Sequence, residues 1–238
     1  MSVSPLSVVC WRWAPKPGYH STFAPETVNV LQRMVARHYP DPHEFCCVTD
    51  DPAGIDPAVR IVPAWNDFAE VPSPHHGGKP SCYRRLRLFH PDIAATLGRR
   101  IVSLDLDVVI VGDLRPLWNR PEDFVIWGHT HKRTAYNGSM VLLTAGARRK
   151  VWDRFDPIRS PATAHAAGNH GSDQAWISHC LGPGEAMWTA ADGVYSFRLD
   201  VERYGRLPAN ARAIFFHGPV DPWSAKAMAL EWVRQCYR

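Results

Sequence analysis

The chain contains no Cys-x-x-Cys pair. Its six cysteines, Cys10, Cys46, Cys47, Cys82, Cys180 and Cys236, are scattered, which argues against a zinc ribbon. Cys10, Cys46 and Cys47 fall in apolar runs and read as free buried thiols in a reducing compartment. No apolar run reaches transmembrane length, so no integral membrane segment is expected. The opening MSVSPLSVVCWRWAP lacks a basic segment and is broken by prolines, which does not fit a signal peptide. A cytoplasmic protein is expected, with peripheral membrane attachment left open. There is no dense Lys/Arg stripe. A formal charge of +4 is too small to argue for nucleic acid, although a local basic patch would favour phosphates. There is no internal repeat.

What is present is an ordinary globular composition, 45% apolar and 21% charged over 238 residues. That is enough for one sizeable core and a single domain over residues 1–238. Residues 6–13, 45–49 and 59–62 read as strands. Val28, Leu31, Met34 and Val35 predict a helix over 25–38, with proline at its start. Residues 67–80, rich in Pro, Gly and His, form the longest irregular stretch. A helix is expected at 81–90 and strands at 100–104, 108–111, 124–127 and 140–143. Helices are expected at 147–155 and 172–180, a loop at 160–171 and a late strand at 213–217. This alternation predicts an α/β fold, with a mixed central sheet because the later strands are not cleanly spaced by helices.

The chemistry centres on RRIVSLDLDVVIVGDL. An apolar strand runs into Asp105 and Asp107, which on an extended backbone point the same way. Two carboxylates so close repel unless a cation or proton lies between them, and a hard divalent cation shared with substrate phosphates is the natural solution. The pair sits where open α/β sheets bind ligands, outside the carboxyl end of a strand. Turn-capping aspartates are the plainer alternative. An aspartyl-phosphate enzyme would want a hydroxyl two residues later, where this chain has Val109.

In the order of its motifs the sequence resembles the GT-A glycosyltransferases, family eight in particular. Tyr83, Arg85 and Leu86 match a Tyr-x-Arg-Leu segment, and Gly112, Asp113, Leu114, Leu117 and Trp118 match the stretch after Asp-x-Asp. Tyr136-Asn137-Gly138-Ser139, Asp173-Gln174 and His217-Gly218 with Pro222-Trp223 follow. The resemblance runs from about Phe45 to Trp223. Three departures stand out: Asp221 replaces a lysine, Asn137-Gly138-Ser139 inverts Asn-(Ser/Ala)-Gly, and the first strand ends Cys10-Trp11-Arg12-Trp13.

The resemblance implies a GT-A, Rossmann-type fold with a nucleotide-binding half in 1–113 and an acceptor- and sugar-binding half in 114–238. It implies transfer from a nucleotide-sugar, a UDP-sugar, to a glycan, lipid-linked or protein acceptor, with retention of configuration. Asp105, Asp107 and His217 would hold Mn²⁺ (or Mg²⁺); a neutral imidazole suits Mn²⁺ better. Arg85 would approach the donor's phosphate or sugar, Asp173 its hydroxyls and Gln174 the reacting carbon, with Asn137, Tyr83 and Gly218 at the donor. Trp11, Trp13 and Tyr19 are aromatics that could stack on the base, and Asp50 could reach base or ribose. Each has a plainer alternative: core packing for His217 and the tryptophans, a solvated helix face for Arg85, a helix-start acid for Asp173 and a turn for Asn137 and Asp50. Arg84 and Arg87 are expected to point outward. Residues 129–136 and 160–171 are candidates for the acceptor side. Two other readings remain: a nucleotidyltransferase, for which Lys16-Pro17-Gly18 is a poor phosphate loop, and a non-catalytic nucleotide- or carbohydrate-binding module, which Asp221 supports.

Overall fold

The computed structural model describes residues 5–14, 23–128 and 134–238. β1 (Leu6–Arg12), α1 (Pro25–His38), β2 (His43–Thr49) and β3 (Arg60–Pro63) come first. A small hairpin, β4 (Pro72–Ser73) and β5 (Lys79–Pro80), leads into a 3-10 run over Cys82–Phe89 and then α2 (Ile93–Leu97). β6 (Arg100–Leu104), β7 (Val108–Ile110), α3 (Arg115–Trp118), β8 (Phe124–Gly128) and β9 (Tyr136–Thr144) follow. Next are α4 (Lys150–Asp153), α5 (Ser160–Ala166), α6 (Asp173–Leu181), β10 (Ala186–Trp188) and β11 (Val194–Ser196). A π-helical turn, Phe197–Val201, then precedes α7 (Glu202–Tyr204), β12 (Ala213–Phe215), α8 (Ala225–Met228) and α9 (Glu231–Cys236).

Seven strands form the central sheet in the order β10-β8-β9-β6-β1-β2-β3. β1 pairs in parallel with both β2 and β6, whereas β9 runs antiparallel to β6 and β8. The sheet is therefore mixed, as the uneven spacing of helices predicts. Both faces are covered. Val8 and Cys10 of β1 join one apolar cluster with Val28, Leu31 and Met34 of α1, while Val9 and Trp11 join the other with Leu86 and Phe89. That split follows from the two-residue period of a strand. β1 is flanked by β2 on one side and β6 on the other, so the chain changes direction across the sheet at β1, and the carboxyl ends of β1 and β6 frame a crevice.

A second, three-stranded sheet, β11-β12-β7, shares the chain with the first through residues 105–107. These residues are a bend rather than the expected extended segment. Asp105 N–H still donates to Ser139 in β9 at 2.9 Å, prolonging the pairing of the large sheet. Phe216 N–H donates to Asp107 C=O at 2.8 Å, starting the ladder of the small one. The Asp-x-Asp bend is thus the seam between two sheets.

Residues 160–171, expected as a loop, contain α5. Its alanines favour helix, and Pro161 sits in the first turn, where a missing N–H costs nothing. Residues 81–90 form 3-10 rather than α-helix. The three cysteines of the apolar runs are free and buried, and burial pushes the Cys46 thiol up to about 12.

Candidate active site

The 3-10 run carries the site's arginines. With three residues per turn, Arg84 and Arg87 lie on one face and Arg85 on another. Arg85 is buried and turns to the crevice. Its Nε donates to Asp173 Oδ2 at 2.8 Å and its Nη2 to Asp173 Oδ1 at 3.1 Å, a bidentate pair, while its Nη1 meets the Asp105 carboxylate. Burial works to lower the Arg85 pKa, but Asp105 and Asp173 outweigh it and hold the guanidinium charged. The solvated-face alternative for Arg85 is ruled out by this burial.

Arg84 and Arg87 do not point outward as expected. Arg84 is 5% exposed, with its guanidinium 5.1 Å from the Trp13 ring centre. Its Nε and Nη1 have no hydrogen-bond partner, and Asp50 is 3.7 Å away. Arg87 lies between the rings of Trp65 and Trp152. The face they share packs on aromatics, which a guanidinium can cover.

Asp173 opens α6 and is 4% exposed. Ser172 Oγ donates to its Oδ1 at 3.3 Å. Gln174 Nε2 donates to His170 C=O at 3.1 Å, and its Oε1 accepts from Gly138 N–H at 3.4 Å. Gly138 explains the inverted Asn-Gly-Ser order: a Cβ there would lie 3.2 Å from Asp173 Oδ2 and 3.3 Å from Arg85 Nη2. Asn137 is buried in β9, and its Oδ1 accepts from Ser139 N–H at 2.8 Å.

On the other side of the seam stand Asp107 and His217. Asp107 Oδ1 and His217 Nε2 are both buried without a hydrogen-bond partner. Burial, then the neighbouring Asp105, pushes the Asp107 carboxyl up to about 7. Burial, then Arg198, lowers His217 to about 4, so its ring is neutral. The ring meets Trp127 edge-on at 5.6 Å. A costly carboxylate and a neutral imidazole, each with an unused lone pair, suit a divalent cation of the Mn²⁺ class. Among the described residues, however, no three His, Cys, Asp or Glu side chains are gathered into a metal-holding set. Asp105, the expected third ligand, is taken by Arg85.

The remaining candidates separate into two groups. Trp11 is 6% exposed and donates from Nε1 to Ser103 Oγ at 3.0 Å, so its ring and polar end are both engaged in the core. Tyr83 is 1% exposed and packs on Phe155 at 5.3 Å. It too fills the core. Asp50 stands at the carboxyl end of β2, where its Oδ1 accepts from Ala14 N–H at 2.6 Å. Gly218 is exposed just beyond His217, at φ 131. Tyr19, with Lys16-Pro17-Gly18 and residues 129–133 of the acceptor-side segment, lies outside the described residues. Sequence reasoning missed Arg198, which sits beside His217, and the burial of Arg84. The three-residue spacing of Arg84 and Arg87 was the signal for the second; the first had none.

No protein-family model and no curated protein matches the chain. Solved structures do. The galactosyltransferase LgtC, solved with donor and acceptor sugar analogues, is similar at TM-score 0.61 and 17% identity, over 96% of this chain and 93% of that one. The glycosyltransferase GlyE of Streptococcus pneumoniae TIGR4 is similar at 0.58 and 12%, over 96% and 63%. The bifunctional glycosyltransferase WbbM is similar at 0.56 and 14%, over 94% and 48%. With its mixed seven-stranded sheet and its crevice at the carboxyl ends of β1 and β6, the chain has the GT-A fold of these glycosyltransferases.

Proposed function

We propose that this protein is a glycosyltransferase that takes a sugar from a nucleoside-diphosphate donor, a UDP-sugar, in the crevice between Asp105 and Asp173. The observation that carries this reading is that Asp107 Oδ1 and His217 Nε2 are both buried without a hydrogen-bond partner, on segments that the Phe216 N–H to Asp107 C=O bond holds together. The fold's solved neighbours with transferase names support it. Gln174 belongs to the same cluster as Arg85 and Asp173, its Oε1 accepting from Gly138 N–H at 3.4 Å.

Asp107, His217 and Asp105 would hold Mn²⁺ or Mg²⁺, which when bound neutralises charge on the leaving diphosphate. Arg85 adds a fixed positive charge there. Because Asp105 is paired with Arg85, donor phosphates would compete for the guanidinium and free the carboxylate. Asp173 holds Arg85 in place throughout. As the bond from the sugar's anomeric carbon to the phosphate oxygen breaks, its electron pair stays on that oxygen. The acceptor hydroxyl forms the new bond on the same face and passes its proton to the departing phosphate oxygen. Asn137 and Gln174 line the sugar side.

The test is release of UDP from UDP-sugars with and without Mn²⁺. Metal-dependent release that disappears in Asp107→Ala is expected. Full activity of that variant at saturating metal would overturn the metal assignment. Because Asp105 is engaged elsewhere, a second reading stands: a binding module with a degenerate site, which would bind nucleotide without turnover.

A further inference from the structure

This inference rests on the transferase reading and concerns how the departing diphosphate is held. β11 runs straight into the π-helical turn at Phe197. Ser196 fixes the turn from both ends, its Oγ accepting from Leu199 N–H at 3.1 Å and its N–H donating to Asp200 Oδ2 at 2.8 Å. Phe197 stacks on Phe216 at 4.2 Å and 10°. Phe216 immediately precedes His217, so the turn is pinned to the strand that delivers the imidazole.

Arg198 follows from this placement. Its side chain lies over Gly218: a Cβ there would be 3.7 Å from Arg198 Cδ and 3.9 Å from both Nε and Nη1. Arg198 and His217 line one hollow, about 320 Å³ with its open mouth included, whose walls include Phe216, Pro219 and Val220. The other two charged groups of that hollow, Lys226 and Glu202, pair with each other. Among the described residues, no carboxylate pairs with Arg198.

Arg198 is exposed at the mouth of the hollow and has no carboxylate partner among the described residues, so it leaves positive charge facing solvent beside His217. A ligand that brings negative charge to this mouth is favoured there. A diphosphate does this, and a planar guanidinium is suited to its oxygens. We propose that Arg198 grips the terminal phosphate of the nucleoside diphosphate from the small-sheet side, opposite Arg85. When the sugar–phosphate bond breaks, Arg198 meets the charge left on the phosphate oxygen.

The experiment compares UDP, UMP and uridine binding by calorimetry, with and without Mn²⁺, in the wild-type protein and in Arg198→Ala, Arg198→Met and Arg198→Lys. The side chain is exposed, so unchanged melting temperatures are expected. UDP affinity should fall roughly tenfold to a hundredfold in Arg198→Ala and Arg198→Met, the range of one charge-assisted hydrogen bond. Uridine affinity should stay within about twofold of the wild type, a margin smaller than one weak hydrogen bond. Arg198→Lys should recover part of the loss. The effect should persist without Mn²⁺, because it belongs to the guanidinium. Wild-type UDP affinity in Arg198→Ala, or an equal loss for uridine, would overturn the assignment while leaving the transferase reading intact. If the wild-type protein bound neither UDP nor GDP, the transferase reading would fail and this inference with it.

Discussion

At the scale of single residues, Asp107 and His217 respond to pH in opposite ways. The Asp107 carboxyl, pushed up to about 7 in the fold, binds a proton more tightly than in the unfolded chain. Its contribution to stability is present at low pH and is lost as pH rises through about 7. His217, lowered to about 4, is the reverse case: folding disfavours its protonation, so stability is lost as pH falls from the ordinary histidine range toward 4. A cation must displace the Asp107 proton. Mn²⁺-induced stabilisation should therefore weaken as pH drops below about 7, a trend read from melting temperatures at fixed metal between pH 6 and 8. Asp107→Asn should remove the metal effect at every pH; an unchanged pH profile in that variant would exclude Asp107 as its source.

The Arg85–Asp173 pair gives a second residue-scale prediction. Both partners are buried, so Asp173→Ala leaves the guanidinium with Asp105 alone and should cost about 3 kcal/mol in urea unfolding, the low end for breaking a buried pair. Gly138→Ala crowds both partners at once and should cost about 1–3 kcal/mol. Its effect should largely vanish in an Asp173→Ala background, because the crowded carboxylate is gone. Additive losses would mean that Gly138 acts through something else.

Among the elements, the seam matters most. The segments that follow β7 and precede β12 approach closely at Gly112, where a Cβ would lie 2.8 Å from Ala211 C=O and 3.3 Å from Arg212 Cα. Both obstacles are backbone, so Gly112→Ala should splay the small sheet and move His217 away from Asp107. About 1–3 kcal/mol of destabilisation, the scale of an overpacking change, is expected together with weakened Mn²⁺ binding. Retained metal binding would show that the seam tolerates the shift. The same segment shows what a motif match can conceal. Leu114, Leu117 and Trp118 are buried in the core and Asp113 pairs with the exposed Arg115, so this stretch serves packing.

Long elements were readable because their periodicity is. α1 has the expected span, and β1, β2 and β6 appear where apolar runs stand. The three-residue strands β7, β10, β11 and β12 are too short to show a period, and only β7 and β12 were anticipated, from the apolar runs at 108–111 and 213–217. The bend at 105–107 was hidden for another reason. Its local sequence reads as strand, and only pairing with β9 on one side and β12 on the other, both distant in the chain, breaks it. Arg85, Asp173 and Asn137 became candidates by motif order, and the fold joins Arg85 and Asp173 in one buried ion pair. The engagement of Trp11 and Tyr83 in the core is decided by packing that no local pattern shows.

For the whole molecule, two sheets join at one bend, and the proposed nucleotide-sugar crevice lies along the joint. The large sheet brings Asp105, Arg85 and Asp173 together; the small one supplies His217 and Arg198. Metal and donor should therefore bind as partners, each helping to draw Asp105 away from Arg85. The most direct test is calorimetric titration of UDP with and without Mn²⁺. The account expects binding that tightens markedly with Mn²⁺ and loses that gain in Asp107→Ala. UDP binding of equal strength with and without the metal would contradict it.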